Sequence, residues 1–145
     1  MEKVSVFIVD RQTLYRQGVR QALASDESIA VVGDCPPGSE ALTLVEAFAP
    51  NVVLLDVDLR DPTYVGLKKV FPKLALGGIA LVDDCIEGTS WVGAKKGYLD
   101  FVESTGLEPR YHFGLGVVEK LPEGGKGIQW DFSDSPNPIP EGFYS

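Results

Sequence analysis

Short apolar runs alternate with stretches of helical apolar spacing along most of this chain, and nothing else restricts its fold as much. Val4–Val9 reads Val-Ser-Val-Phe-Ile-Val, and Ile29–Gly33, Val52–Leu55 and Ile79–Val82 are runs of the same kind. Bounded by polar and turn residues, they suit strands buried on both faces. Between them, Leu14, Val19, Ala22 and Leu23, then Ala41, Leu42, Val45 and Phe48, then Val65, Leu67, Val70, Phe71 and Leu74 recur at helical spacing. Thr13, Ser39 and the pair Asp61-Pro62 start these helices; Pro50 and Gly77-Gly78 stop the later two. A further helix, capped by Thr89 or Ser90, runs to about Ser104 and stops at Gly106, with Val92, Tyr98, Leu99, Phe101 and Val102 apolar. Arg110–Phe113 and Val117–Glu119 flank Gly114-Leu115-Gly116, a hairpin spacing. Repeated strand–helix alternation means a parallel sheet covered on both faces.

Composition narrows the function. At 145 residues the chain is long enough for one sizeable core. Acids outnumber Lys and Arg by 21 to 13, which argues against nucleic acid, whose binding needs phosphate neutralisation. No apolar run approaches the roughly 20 residues of a membrane span, and Met-Glu-Lys-Val does not open a signal peptide. The expected setting is therefore the cytoplasm, with no membrane contact. Cys35 and Cys85 are too far apart for a zinc knuckle and read as reduced thiols. Residues 121–145 change character: Pro122, Gly124-Gly125, Pro136, Pro138 and Pro140 predict an irregular tail, with a short extended piece at Ile128–Phe132. Trp130, Phe132, Phe143 and Tyr144 equip that tail to dock on a groove.

Two family resemblances meet at Val52-Val-Leu-Leu-Asp-Val-Asp-Leu59. Upstream, Phe7-Ile8-Val9-Asp10, Gln12-Thr13-Leu14-Tyr15-Arg16-Gln17-Gly18, Val31-Val32-Gly33-Asp34 and Gly38-Ser39-Glu40-Ala41-Leu42 resemble the first half of a NarL-type response-regulator receiver domain. The resemblance puts Asp56 on the phospho-acceptor position. It also implies a magnesium ion between that aspartate and an acidic pair ending strand one. Here Arg11 replaces the second acid of the pair. The Ser or Thr expected after strand four and the Lys expected after strand five are absent, with Val82-Asp83-Asp84 and Phe113-Gly114 in their places.

Downstream, Asp56-Val57-Asp58-Leu59, Leu74-Ala75-Leu76-Gly77-Gly78-Ile79, Val82-Asp83-Asp84 and Trp91-Val92-Gly93-Ala94-Lys95 resemble the last third of a class I S-adenosylmethionine (SAM) O-methyltransferase of the macrocin type. In metal-using members an acid of the first motif and the Asp-Asp pair hold an ion that orients a substrate diol. By position those ligands are Asp56 or Asp58, with Asp83 and Asp84. The family's glycine-rich turn after strand one is missing: the chain reads Asp10-Arg11-Gln12-Thr13, with no glycine until Gly18. Asp34 stands where the family's ribose-binding acid would.

Other candidates are weaker. His112 has no nucleophile motif beside it and reads as a structural histidine. Gly114-Leu115-Gly116 lacks the third glycine and the helix of a dinucleotide fingerprint. Trp91 reads as an anchor and Lys95-Lys96 as a solvated helix face.

The sequence thus predicts a three-layer, doubly wound α/β sandwich, a hybrid of flavodoxin-like and Rossmann-like types. Its mainly parallel sheet has order 2-1-3-4-6-5 with strand six antiparallel. Residues 1–145 form one domain: a receiver-like segment (1–59), a methyltransferase-like segment (60–120) and the tail. The expected protein is an engineered or recombined chimera with no inherited activity, no cofactor and no defined protein partner, a monomer or weak homodimer. One alternative is a vestigial metal- or ligand-binding module, with Asp10, Asp56, Asp58, Asp83 and Asp84 binding magnesium or calcium weakly. The other is a SAM-dependent O-methyltransferase fragment.

Overall fold

The computed structural model describes residues 2–57, 60–83, 85, 92–112 and 114–121. Along the chain run β1 (Val4–Asp10), α1 (Thr13–Ala24), β2 (Ile29–Cys35), α2 (Ser39–Phe48), β3 (Val52–Asp56) and α3 (Arg60–Val70). A 3-10 turn over Phe71–Lys73 leads to β4 (Ile79–Val82), α4 (Val92–Thr105), β5 (Tyr111–His112) and β6 (Leu115–Glu119). The six strands form one sheet of order β2-β1-β3-β4-β6-β5. β1, β2, β3 and β4 pair in parallel, and β6 runs antiparallel to both β4 and β5. The predicted order and the direction of strand six are those observed. The expected helix cap at Thr89 or Ser90, together with Asp58, Asp84, Trp91 and the tail beyond Leu121, lies outside the described residues.

β3 is the joint. It pairs with β1 through Val6↔Val52 to Asp10↔Asp56, and with β4 through Val52↔Ile79 to Leu55↔Val82. The stretches on either side of residue 59 therefore share one uninterrupted ladder. Below it, Asn51 Oδ1 accepts from the Ser5 amide at 2.9 Å, while the Asn51 amide donates to Ser5 Oγ at 2.9 Å.

Right-handed crossovers put a helix on one face when the chain moves one way across the sheet and on the other face when it moves back. The step from β1 to β2 runs opposite to those from β2 to β3 and from β3 to β4. Accordingly α1 packs on β1 and β2 from one side, and α2, α3 and α4 cover the other. On the three-helix side, Phe7, Val9, Val53, Leu55, Ala80, Val82 and Val118 meet Val45, Leu67, Val70, Tyr98, Phe101 and Val102 in one core. The strand period of two sends Val6, Ile8, Leu54, Leu81 and Val117 to the α1 side.

Two helices turn differently from their apolar spacing. In α1, Leu14 is 83% exposed and the one buried residue is Arg16, because its guanidinium reaches Asp34 on β2 and holds the helix by a polar side. In α3, Val65 is exposed and Thr63 buried, since Thr63 faces the close approach of α4. Phe48, placed inward by spacing, is half exposed at the end of α2, its ring 6.2 Å from that of Phe7.

Candidate functional site: the carboxylate edge

The winding direction reverses between β1 and β3, and the carboxyl ends of the strands there are where open α/β sheets bind ligands. Asp10 and Asp56 are direct partners across this crevice. Asp83 follows the last residue of β4, and its amide donates to the Leu55 carbonyl at 3.0 Å, one residue before Asp56. Strand alternation puts all three acids on the α1 side, above Ile8, Leu54 and Leu81.

Tyr15, in the first turn of α1, reaches over this edge and donates its hydroxyl to Asp83 Oδ2 at 3.2 Å. Its pKa is pushed well above the usual phenol value, first by burial and then by the charges of Asp83, Asp56 and Asp10. The phenol stays protonated and serves as a donor to the cluster. Sequence reasoning passed over Tyr15; the available signal was an aromatic hydroxyl five residues after a strand-ending acid.

The β1–α1 turn is closed by its own side chains. Asp10 Oδ1 accepts the Gln12 amide at 2.6 Å, and the Arg16 guanidinium donates to the Asp10 carbonyl. Arg16 Nε also donates to Asp34 Oδ1 at 2.9 Å, while Arg20 Nε donates to Asp34 Oδ2 at 3.1 Å. Asp34 is thus held by two guanidiniums, and its carboxyl lies below the ordinary range, chiefly through the hydrogen bond from Arg20.

These residues do not fit SAM. The cofactor needs a bare backbone turn after β1 and a free acid at the end of β2. Here the turn carries Asp10, Arg11 and Gln12, and the acid is committed to α1. A metal ion fares no better on the described residues, among which no group of three His, Cys, Asp or Glu side chains is placed to hold one. Asp10, Asp56 and Asp83 share an edge; Asp58 and Asp84 lie outside the described residues.

The remaining candidates lie elsewhere. His112 sits in β5, half-buried opposite Leu115, with its pKa lowered by burial. Cys35 and Cys85 are buried, and burial pushes the Cys35 pKa up. On the opposite face of the sheet, a cleft of about 290 Å³ opens between α2 and α3, lined by Val9, Leu42, Leu55, Val57, Pro62 and Val65. Its walls are apolar and the carboxylates do not enter it. No described residue is part of a helix long and apolar enough to cross a membrane.

The fold and this edge define a doubly wound α/β protein with acids at its switch point, and known proteins resemble it in two different ways. No family model matches the chain. By sequence it is 46% identical over 55 residues to the probable transcriptional regulatory protein NarL of Mycobacterium tuberculosis, covering 38% of this chain and 26% of that protein. It is 37% identical over 57 residues to the transcriptional regulatory protein DegU of Brevibacillus brevis, covering 39% of this chain and 24% of the relative. The chain thus spans about a quarter of the length of these curated relatives. By structure it matches the MycE methyltransferase of the mycinamycin biosynthetic pathway, solved with Mg, SAH and mycinamycin VI. That match has a TM-score of 0.58 at 11% identity, over 88% of this chain and 47% of that one. The sequence likeness is to response regulators and the fold likeness is to a methyltransferase. The hybrid resemblance read from the sequence is therefore present.

Proposed function

We propose that this chain is a recombined or engineered chimera, one cooperatively folding α/β unit that carries neither receiver phosphorylation nor methyl transfer. The observation that carries this reading is the fate of the β1–α1 turn and Asp34. Arg16 and Arg20 tie the acid at the end of β2 to α1, and Asp10 and Arg16 fill the turn where a methyltransferase would seat its cofactor. A site without its binding geometry cannot position reactants. The MycE match, to a protein solved with Mg, SAH and mycinamycin VI, supports the shared architecture alone. For phosphorylation, Arg11 stands in the acidic pair, and the Ser or Thr and the Lys that assist acyl-phosphate formation have no counterpart.

Acetyl phosphate with magnesium is therefore expected to leave the mass of the protein unchanged, and SAM at millimolar concentration to give no heat of binding. A gain of one phosphoryl group that Asp56→Asn abolishes would overturn the first half of the reading. Saturable SAM binding would overturn the second half and favour a methyltransferase fragment.

A second reading rests on the meeting of Asp10, Asp56 and Asp83 at the ends of three neighbouring strands. It makes the edge a vestigial cation site, for which the sequence also offers Asp58 and Asp84, and in which Arg11 offsets negative charge that a divalent ion would otherwise neutralise. Magnesium or calcium then binds weakly, and Arg11→Asp strengthens binding by adding an oxygen ligand. Calorimetry showing no binding of either ion to either form at millimolar concentration would eliminate this reading.

A further inference from the structure

α3 is not centred between its neighbours. It lies close along α4, where the missing side chain of Gly97 lets the two backbones meet, and it only touches α2. Between α2 and α3 the small residues Ala41 and Gly66 leave further space unfilled. The result is the apolar cleft of about 290 Å³ on the three-helix side of the sheet. Its floor is Leu55 of β3: a β-carbon on Gly66 would stand 3.3 Å from Leu55 Cδ2. Leu42, partly buried, and Val65, exposed, wall it from α2 and α3.

Size and shape limit what can enter. An apolar cavity of about 150 Å³ takes benzene, so this cleft takes an apolar body of about eight to ten carbons. Pro62 and Lys69 both line the α3 wall, and the seven residues between them make about 10 Å of helix. An extended chain of about eight carbons has a similar length, and its volume suits the cleft.

Charge sets the other end of the occupant. Among the described residues lining the cleft, Lys69 is the one with a charged side chain. The lysines near it are engaged elsewhere: Lys68 lies 5.9 Å from the centroid of the Tyr64 ring, and Lys73 pairs with Glu46 at 3.2 Å. Lys69 forms no ion pair among the described residues. A lysine on an apolar wall lays its stem along that wall and keeps its ammonium at the rim. The cleft is thus apolar along its length and cationic at one end.

We propose that this cleft binds a small amphipathic monocarboxylate, its chain lying between Leu42 and Val65 over Leu55 and its carboxylate at Lys69. The site is on the other face of the sheet from Asp10, Asp56 and Asp83 and uses none of them.

Octanoate is the probe, titrated into the full chain and followed by calorimetry and by the methyl resonances of Leu42, Leu55 and Val65. Saturable binding at millimolar concentration is expected, with shifts at those methyls. Hexanoate, two methylenes shorter, is expected to bind about tenfold more weakly. Lys69→Met is expected to weaken octanoate binding about fivefold and to leave the binding of 1-octanol unchanged. Gly66→Leu, which fills the cleft from the α3 wall, is expected to abolish the binding of both. No saturable octanoate binding, or binding without shifts at those methyls, would overturn the proposal. Octanoate affinity unchanged in Lys69→Met would overturn the carboxylate's placement, and with it the ligand class. Should Gly66→Leu fail to fold, the methyl shifts and Lys69→Met, a change at an exposed position, still decide.

Discussion

Gly97→Ala is expected to lower the thermal unfolding midpoint by roughly 10 °C, corresponding to about 3 kcal/mol. A β-carbon at Gly97 would stand 2.4 Å from the Arg60 carbonyl oxygen, 2.9 Å from Thr63 Cβ and 3.1 Å from the Tyr64 amide nitrogen. Two of these neighbours are backbone, which cannot swing aside as a side-chain tip can. α3 and α4 must therefore separate, disturbing the Arg60–Asp100 ion pair and the packing of Leu67 and Val70. Gly18→Ala is the matched control. It also lies in a helix, but its added carbon meets nothing within 4 Å, so alanine's better helix propensity is expected to raise stability by about 0.5–1 kcal/mol. Equal midpoints for the two variants, followed by circular dichroism, would show that close α3–α4 packing at Gly97 does not limit stability.

Tyr98→Phe is expected to cost about 2–3 kcal/mol at neutral pH and to change the response to alkali. Tyr98 is fully buried in α4, and its hydroxyl lies 2.8 Å from the Val117 carbonyl and 2.9 Å from that of Arg110. It also accepts the Arg110 amide at 2.9 Å, so one oxygen ties α4 to the β5–β6 hairpin. Phenylalanine keeps the ring contact with Tyr111 but leaves those backbone groups without this partner. Burial pushes the Tyr98 pKa from 10.0 to about 12. The unfolded chain therefore ionises first, and the stability this phenol provides is complete below pH 10 and lost as pH rises toward 12. That loss amounts to about 3 kcal/mol. Tyr15 shifts in the same direction, so Tyr98→Phe should reduce the alkaline decline without abolishing it. Urea unfolding at pH 7 and at pH 11 reads both effects. An unchanged alkaline decline would remove Tyr98 from this role.

Much of the architecture was legible because strand and helix carry different periods. Ile79–Val82 has the boundaries read from its apolar run, and the order 2-1-3-4-6-5 followed from joining two known windings at β3. The faces of the helices were less legible, since apolar spacing finds a stripe but not a polar anchor. Arg16 and Arg20, one turn apart, and Asp34 on the next strand were all visible in the sequence. Their meeting, which leaves Leu14 outside, depends on how α1 lies on β2. Gly97 gave no signal, because a close helix approach is a property of the partner backbone. At the site, the neighbouring carboxylates of Asp10, Asp56 and Asp83 could be placed from strand order alone. The Tyr15 hydroxyl over them could not, since its reach depends on how the first turn of α1 is set above the edge.

At the centre of this account is β3, the strand that pairs the receiver-like β1 with β4 and so unites two resemblances in one sheet. Differential scanning calorimetry of the full chain tests that union most directly. One transition is expected, with calorimetric and van't Hoff enthalpies that agree, as for a single cooperative unit. Two resolved transitions, or a calorimetric enthalpy well above the van't Hoff value, would mean that the stretches on either side of residue 59 fold separately, and would contradict it.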